Sequence, residues 1–132
     1  MSNNLDEKND MDNYGQIKIS DEVVGIISSL AATEVKGVAG MSGGIAGGLS
    51  EMLGRKNLSK GVKVEIKDKE VIISLYIIVE YGAKIPEVAW EVQENVKNTV
   101  ETMTGLNVIE VNINIQGVNF EKEQKEEKTI NQ

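Results

Sequence analysis

The run Val71–Val79 is apolar at both of the alternating positions of a β-strand, with Ser74 as its one polar residue. Successive side chains of a strand point to opposite faces, so this run has apolar side chains to bury on both sides of a sheet. It predicts a central strand, which we place at Val71–Tyr81. The run has less than half of the roughly 20 residues that a membrane-spanning helix needs, so it does not predict a membrane span.

The neighbouring segments predict further strands. Val62–Lys67 alternates apolar and charged residues with period two, and Asp68–Glu70 is short enough to join it to the central strand in a hairpin. A short strand is predicted at Gln16–Ile19. A last strand is predicted at Ile109–Gln116, where four apolar residues alternate with polar ones.

Two helices are predicted between these strands. Ser20 stands at an N-cap position before two acidic residues, and Gly37 can end this helix. Pro86 fits the first turn of the second helix, and Gly105 can end it. The expected buried stripes are Val23, Ile26, Ile27, Leu30 and Ala31 in the first helix, and Val88, Ala89, Val92, Val96, Val100 and Met103 in the second. The order β-α-β-β-α-β predicts an α/β protein of the α+β type, with a small mixed sheet, both helices on one face and a glycine-rich loop after the first helix.

The composition excludes several classes of function. The 132 residues contain no His and no Cys, which excludes the usual zinc sites, disulfides, cysteine nucleophiles and His-based acid–base pairs. The formal net charge of -7 repels phosphate backbones and anionic membranes. Carboxylate pairs such as Glu87 with Glu91 are better explained by solubility, so an enzyme that uses carboxylates is the least favoured alternative. No catalytic, cofactor-binding or metal-binding residue is predicted.

Both ends of the chain are polar. Residues 1–13 carry four acidic residues and one lysine, unlike the basic and then apolar start of a signal peptide. We predict a disordered acidic tail at 1–13, a single domain at 14–120 and a disordered charged tail at 121–132. The protein is expected to stay in the cytoplasm.

Residues 37–61 include eight glycines. They have neither the GxGxxG spacing nor the Gly-Lys-Ser/Thr of a phosphate-binding loop, and a flexible connector is the simplest interpretation. Apolar residues nevertheless recur here at helical spacing: Met41, Ile45, Leu49 and then Met52 or Leu53. We therefore hypothesise that Met41–Leu53 is mobile in the free protein and orders on docking to a partner. GxxG patterns such as Gly40–Gly43 leave a KH-like RNA-binding module as an alternative, although the net charge disfavours RNA.

Charge is unevenly distributed between two segments. Residues 55–69 contain six basic and two acidic residues, whereas the predicted helix at 86–104 contains four glutamates and one lysine. Two solvated faces are the usual explanation, but a basic patch can also meet the acidic helix of a second copy, which predicts a homo-oligomer. Trp90 lies off the predicted stripe and is either a boundary residue of the core or an exposed contact anchor. The candidate partner-binding residues are Met41, Ile45, Leu49, Arg55, Lys56, Trp90 and Glu91.

Five segments together resemble the alkaline-shock, envelope stress response protein family, and its YqhY-like branch in particular. They are Gly37–Gly44, Leu53–Val64, Val79–Trp90, Met103–Leu106 and Val111–Gly117. The resemblance extends over about Tyr14–Val118, and the tails fall outside it.

The resemblance implies a non-enzymatic cytoplasmic protein of Gram-positive-type bacteria that self-associates and acts through protein partners. Some members are held at the membrane by a separate anchor protein and support cell-envelope homeostasis, without direct insertion into the membrane. The YqhY-like branch is tied to acetyl-CoA carboxylase and to the control of fatty-acid synthesis. The family supplies no catalytic residues and implies no cofactor.

Overall fold

The computed structural model describes residues 14–43 and 60–120 of the chain. Its elements in chain order are α1 (Asp21–Thr33), β1 (Val38–Met41), β2 (Val62–Lys67), β3 (Glu70–Glu80), α2 (Ile85–Thr104) and β4 (Asn107–Asn119). Two helices and four strands form the predicted α+β fold.

The central strand is β3, as its apolar composition predicts. β4 pairs with it in parallel along its whole length. On the opposite edge, β2 pairs antiparallel with the first half of β3, and β1 pairs antiparallel with the second half. The sheet is therefore mixed, and β1 and β2 occupy one edge in succession.

Both helices cover the same face of this sheet. The side chains at alternate positions of β3 are buried in the core with α1 and α2: Val71, Ile73, Leu75, Ile77 and Val79. α1 packs against β2, β1 and α2, whereas α2 packs against β4. The intervening side chains of β3, from Ile72 to Ile78, are only half-buried. The core therefore lies on one side of the sheet, although the strand is apolar on both.

β1 and β2 form one interrupted line of pairing. The Ser42 amide donates to the carbonyl of Tyr76, and the Tyr76 amide donates to the carbonyl of Gly61, each at 2.8 Å. A Cβ on Gly61 would stand 2.7 Å from the Ser42 carbonyl oxygen, and Gly61 has a φ of +79°, so this approach requires glycine. The chain thus leaves the edge of β3 at Ser42 and returns to it at Gly61, and both residues bond to Tyr76. Residues 44–59, between these two points, lie outside the described part of the chain.

The prediction of a strand at Gln16–Ile19 is wrong. Residues 15–20 have no regular secondary structure, and Ile17 is 88% exposed. Both edges of β3 are already occupied, so no pairing position remains for this segment. The fourth strand is instead β1, in a stretch whose glycines predict a loop, and it pairs with Ile77–Val79. The order is therefore α-β-β-β-α-β.

α1 begins as predicted but buries a different face. The Ser20 side chain accepts a hydrogen bond from the Val23 amide at 3.2 Å. The buried residues are mostly small: Val24, Gly25, Ser28, Ser29, Ala31 and Ala32. Val23 and Leu30, which were predicted to be buried, are 44% and 49% exposed. Small side chains allow the helix to pack closely on the sheet and on α2, and the Ser28 hydroxyl is satisfied by the Val24 carbonyl at 2.7 Å.

α2 largely follows its prediction. Pro86 lies in its first turn, and Gly105 ends it in the left-handed conformation with a φ of +76°. The buried residues of the stripe are Val88, Val92, Val96 and Val100. Met103, which the predicted stripe also includes, is 65% exposed. In β4, the first of the alternating apolar residues, Ile109, is 47% exposed. Ile109 is displaced because the pairing of β4 with β3 shifts register between Val108 and Glu110, so that Val108 takes the buried position.

Gly37 permits a close approach between the loop after α1 and the start of α2. Its φ is +103°, and a Cβ there would stand 2.6 Å from Cγ2 of the buried Val88. We expect Gly37→Ala to lower the free energy of unfolding by about 1–2 kcal/mol, through backbone strain and overpacking. Urea unfolding measures this. Gly40→Ala is the matched control, since its Cβ would meet nothing within 4 Å; equal losses in the two variants would contradict the expectation.

Candidate partner-binding surfaces

The first candidate surface is the outer side of α1. We call it the α1 stripe and define it as Val23, Ile26, Ile27 and Leu30. These residues have the i, i+3, i+4, i+7 spacing of one helix face. Val23 and Leu30 are about half exposed, and the two isoleucines are half-buried, with Ile27 also packed against the core. Single exposed apolar residues are common on proteins, but four neighbours on one face form a patch that a partner can cover.

Acidic residues flank the α1 stripe at both ends. Asp21 and Glu22 are exposed in the first turn of α1, and Glu34 is exposed just beyond its last turn. A Glu34 carboxylate oxygen accepts a hydrogen bond from the Asn95 side chain at 3.2 Å. This arrangement is complementary to an apolar partner segment that has basic residues at its borders.

The second candidate surface is a groove of about 570 Å³ between the loop after α1, the end of β3 and the start of α2. It is lined by Lys36, Gly37, Glu80, Ala83, Lys84, Glu87, Val88 and Glu91. Four of its five charged residues are exposed, and Glu80 is half-buried. Because water surrounds these carboxylates, the groove lacks the buried environment in which acid–base catalysis is usual. Within residues 14–43 and 60–120, no cluster of three or more carboxylates could hold a metal ion.

A third feature joins α2 to the outer side of β4. Lys97 Nζ and Glu101 Oε2 form an ion pair of 2.8 Å. The same Lys97 donates to the Val108 carbonyl, and the same Glu101 oxygen accepts from the Val108 amide, each at 3.0 Å. The hydrogen bonds from Lys97 and from the Val108 amide favour the ionised carboxylate and lower the pKa of Glu101 below its usual value.

This network makes the stability of the protein depend on pH. Because the folded-state pKa of Glu101 is lowered, its contribution is present above the usual glutamate pKa of about 4.3 and is lost as the pH falls through the lowered pKa. We expect Glu101→Gln to weaken the loss of stability on acidification. Urea unfolding over a series of pH values tests this, with Glu94→Gln as a control at an exposed position of the same helix. Parallel pH profiles for wild type and Glu101→Gln would contradict it.

The described residues do not favour the RNA-binding alternative. A KH-type module clamps its ligand with a GxxG loop between helices. Here Gly40 belongs to β1 and Gly43 to the turn that follows, and the described residues on both sides of the gap at 44–59 lead into strands. On β2, Lys63 and Lys67 alternate with Glu65 along the uncovered sheet face, so this strand offers no continuous basic stripe.

The structure separates the candidate residues predicted from the sequence. Met41 ends β1, is half-buried and packs against the core. Trp90 is 60% exposed, so it is an exposed residue rather than a part of the core. Glu91 lies at the groove. Four candidates lie outside the described residues: Ile45, Leu49, Arg55 and Lys56.

Sequence reasoning missed the α1 stripe as a candidate surface. A signal for it exists, because residues 24, 25, 28, 29, 31 and 32 are mostly small and also lie on one helix face. Hydrophobicity alone favours burial of the face with the larger side chains, whereas close packing between two helices and a sheet favours burial of the face with the small side chains. Asn95 supplies a further sign of this packing, since its side chain donates to the Ala31 carbonyl at 2.7 Å across the helix pair.

Comparison with known proteins supports the resemblance found in the sequence. Residues 9–120 match the alkaline shock protein 23 family, which is described as having a cell envelope-related function. The chain belongs to this alkaline shock protein family. It is 43% identical over 112 residues to YqhY of Bacillus subtilis (strain 168), covering 85% of this chain and 83% of that protein. It is 47% identical over 107 residues to YloU of the same strain, covering 80% and 89%.

The family also includes proteins named for stress regulation. A stress response regulator gls24 homolog of Streptococcus pyogenes serotype M3 (strain MGAS315) is 32% identical over 115 residues, covering 86% of this chain and 64% of that protein. This alkaline shock family member therefore belongs to a group with roles in stress response and the cell envelope. In the described part of the chain, no helix combines the length and apolar character needed to cross a membrane.

Proposed function

We propose that this protein is a non-enzymatic cytoplasmic scaffold of the envelope stress response, which acts by holding protein partners on the α1 stripe. The observation that carries this proposal is the orientation of α1. The helix buries mostly small residues, whereas Val23 and Leu30 are 44% and 49% exposed. Apolar area left in water on a folded helix is available for binding.

The size of the α1 stripe limits what it can do alone. Complete burial of an aliphatic side chain is worth about 1.5–3 kcal/mol, so covering the exposed parts of Val23, Ile26 and Leu30 gives roughly 3 kcal/mol. Micromolar binding needs about 8 kcal/mol. The partner must therefore also contact the acidic ends of the stripe, at Asp21, Glu22 and Glu34. An amphipathic helix with basic residues at its borders meets both requirements.

The family resemblance suggests two partners for this surface. One is a membrane anchor protein, from which the scaffold would take any position at the membrane. The other is acetyl-CoA carboxylase, through which the scaffold would control fatty-acid synthesis and so the supply of envelope lipid. Both assignments rest on the resemblance to the YqhY-like branch, and the α1 stripe is the described surface that we assign to them.

A charge placed within the α1 stripe tests the scaffold function. We expect Leu30→Glu to fold with nearly unchanged stability, because Leu30 is 49% exposed, and to lose binding of the purified anchor protein or carboxylase. Affinity is measured by calorimetry and folding by circular dichroism and thermal unfolding. Asn98→Glu adds the same charge at an exposed position of α2 and should bind as wild type does. Unchanged binding of both partners to Leu30→Glu, or equal loss in the control, would reject the proposal.

A further inference from the structure

The outer edge of β4 is covered by α2 in its first half. Glu101 accepts from the Val108 amide, Lys97 donates to the Val108 carbonyl, and the Gln93 side chain donates to the Val111 carbonyl, each at 3.0 Å. These backbone groups point away from β3, which pairs with the other edge of β4. Three side chains of α2 thus satisfy backbone N–H and C=O groups in this part of the edge strand, which would otherwise be free to pair with another strand.

In the second half of β4, from Asn112 to Val118, no side chain of the described residues hydrogen-bonds to the outer backbone edge. Along a strand, the face to which the side chain points and the edge to which the backbone N–H and C=O point alternate together. Val108 and Val111 show that residues of β4 on the helix side have backbone groups that point to the outer edge. Beyond Val111, these residues are Ile113, Ile115 and Val118, which pair in register with the helix-facing residues of β3. The next residue after Val118 is Asn119, and its backbone carbonyl points inward, where it accepts a hydrogen bond from the Tyr81 amide, as this alternation requires. Among the described residues, no other strand pairs with this edge.

The sequence of this half also lacks the residues that usually protect an edge. Residues 111–119 contain no charged residue and no proline, in a chain that is 27% charged. Edge strands are normally protected by lysine, proline or a short length, and an unprotected edge is a template for another strand. β4 has 13 residues, so its uncovered half is long enough to accept one.

The direction of α2 places Trp90 level with this uncovered half. α2 runs antiparallel to β4, because Gln93 bonds to Val111 while Lys97, one turn later, bonds to Val108. One turn in the other direction along this face of α2 brings Trp90 level with the strand beyond Val111. The indole is 60% exposed, and Val118 is 42% exposed. An exposed aromatic side chain next to a free edge marks a contact that extends beyond the strand.

We propose that the second half of β4 pairs antiparallel with the same segment of a second copy, forming a symmetric dimer closed by Trp90. A twofold axis at Asn114, perpendicular to the sheet, places Ile113 of one copy opposite Ile115 of the other. The outward N–H and C=O groups of these two residues then face each other and form a hydrogen-bonded pair. The same axis keeps the helices of both copies on one side of the joined sheet. The two α2 helices then become neighbours, and the Trp90 side chains are buried between them.

The choice of a second copy follows from Trp90. A foreign peptide strand would satisfy the edge of β4 but would leave the indole, which stands above the sheet on α2, without cover. A second copy supplies both a strand and a helix. This contact is isologous, and so it closes at two subunits, unlike the heterologous contact between basic and acidic segments suggested by the charge distribution.

Two substitutions with matched controls test the dimer by sedimentation velocity over a wide range of protein concentration. Trp90→Ala should raise the dimer dissociation constant at least about tenfold, whereas Met103→Ala, at an apolar α2 residue that is 65% exposed, should leave it unchanged. Asn114→Lys places two lysines against each other at the axis and should give a monomer. Asn98→Lys adds the same charge away from the edge and should not.

Hydrogen exchange of the wild-type protein provides a readout that does not depend on a variant folding. The amides of Ile113 and Ile115 should gain protection as the protein concentration rises, while those of β2 should not change. Three results would overturn the dimer: a monomer at all concentrations, an oligomer unaffected by both Trp90→Ala and Asn114→Lys, or protection of these amides only after a different protein is added.

Discussion

Leu75→Ala is expected to lower the free energy of unfolding by about 2–5 kcal/mol, among the largest effects of a single substitution in this protein. Leu75 is completely buried at the middle of β3, where it faces both helices, and it is one of the largest fully buried side chains. Removing it leaves a cavity beneath the helices that the neighbouring valines and isoleucines can fill only in part. Urea unfolding followed by circular dichroism measures the loss.

Ile78→Ala is the control for this prediction. Ile78 lies on the same strand, but it is half-buried and belongs to the opposite, uncovered face of the sheet. We expect this variant to lose about 1 kcal/mol, because most of its surroundings can adjust or are already solvent. Equal losses for Leu75→Ala and Ile78→Ala would show that the second face is covered as fully as the first.

Much of the fold is encoded in short patterns that can be read locally. The apolar run of β3, the alternation of β2 and the short segment Asp68–Glu70 predict the hairpin. The structure forms it with Glu70 already in β3 and with Asp68 at a φ of +58°. Ser20 at the start of α1, and Pro86 and Gly105 near the ends of α2, are likewise found in their predicted roles. These features depend on contacts between residues close in sequence, which a single sequence displays directly.

The wrong secondary-structure predictions concern segments that are distant in the sequence and compete for the same pairing positions at the edges of β3. Gln16–Ile19 has the composition of a strand, but β4, β2 and β1 already occupy both edges of β3. The glycines of β1 favour a loop, and only pairing with Ile77–Val79 makes this segment a strand. Such competition is decided by the whole sheet, so no local pattern reveals it.

The candidate surfaces were predictable only in part. The unusual position of Trp90 relative to the buried stripe was visible in the sequence, and the structure shows the side chain exposed. The α1 stripe is visible in the sequence as an apolar pattern, but this pattern predicts a buried face. The cover over the first half of β4 could not be predicted, because it depends on Gln93 and Lys97 lying above strand residues that follow them by 18 and 11 positions.

Ala32→Leu is expected to lower the free energy of unfolding by about 1–3 kcal/mol, whereas Leu30→Ala should change it by less than about 1 kcal/mol. Ala32 is completely buried on the small face of α1, so a larger side chain there forces the helix away from its neighbours. Leu30 is 49% exposed and leaves little cavity when shortened. The usual order, in which shortening a leucine in an apolar stripe costs more than enlarging an alanine, is thereby reversed.

This reversal distinguishes the two possible faces of α1 through stability alone, without any partner. Thermal and urea unfolding of both variants provide the measurement, with Ala39→Leu as a control for a larger side chain at an exposed position of β1. If Leu30→Ala were the more damaging change, the large stripe would be the buried face of α1. The surface assigned to partners would then not exist on the folded protein, and the scaffold function would need a different site.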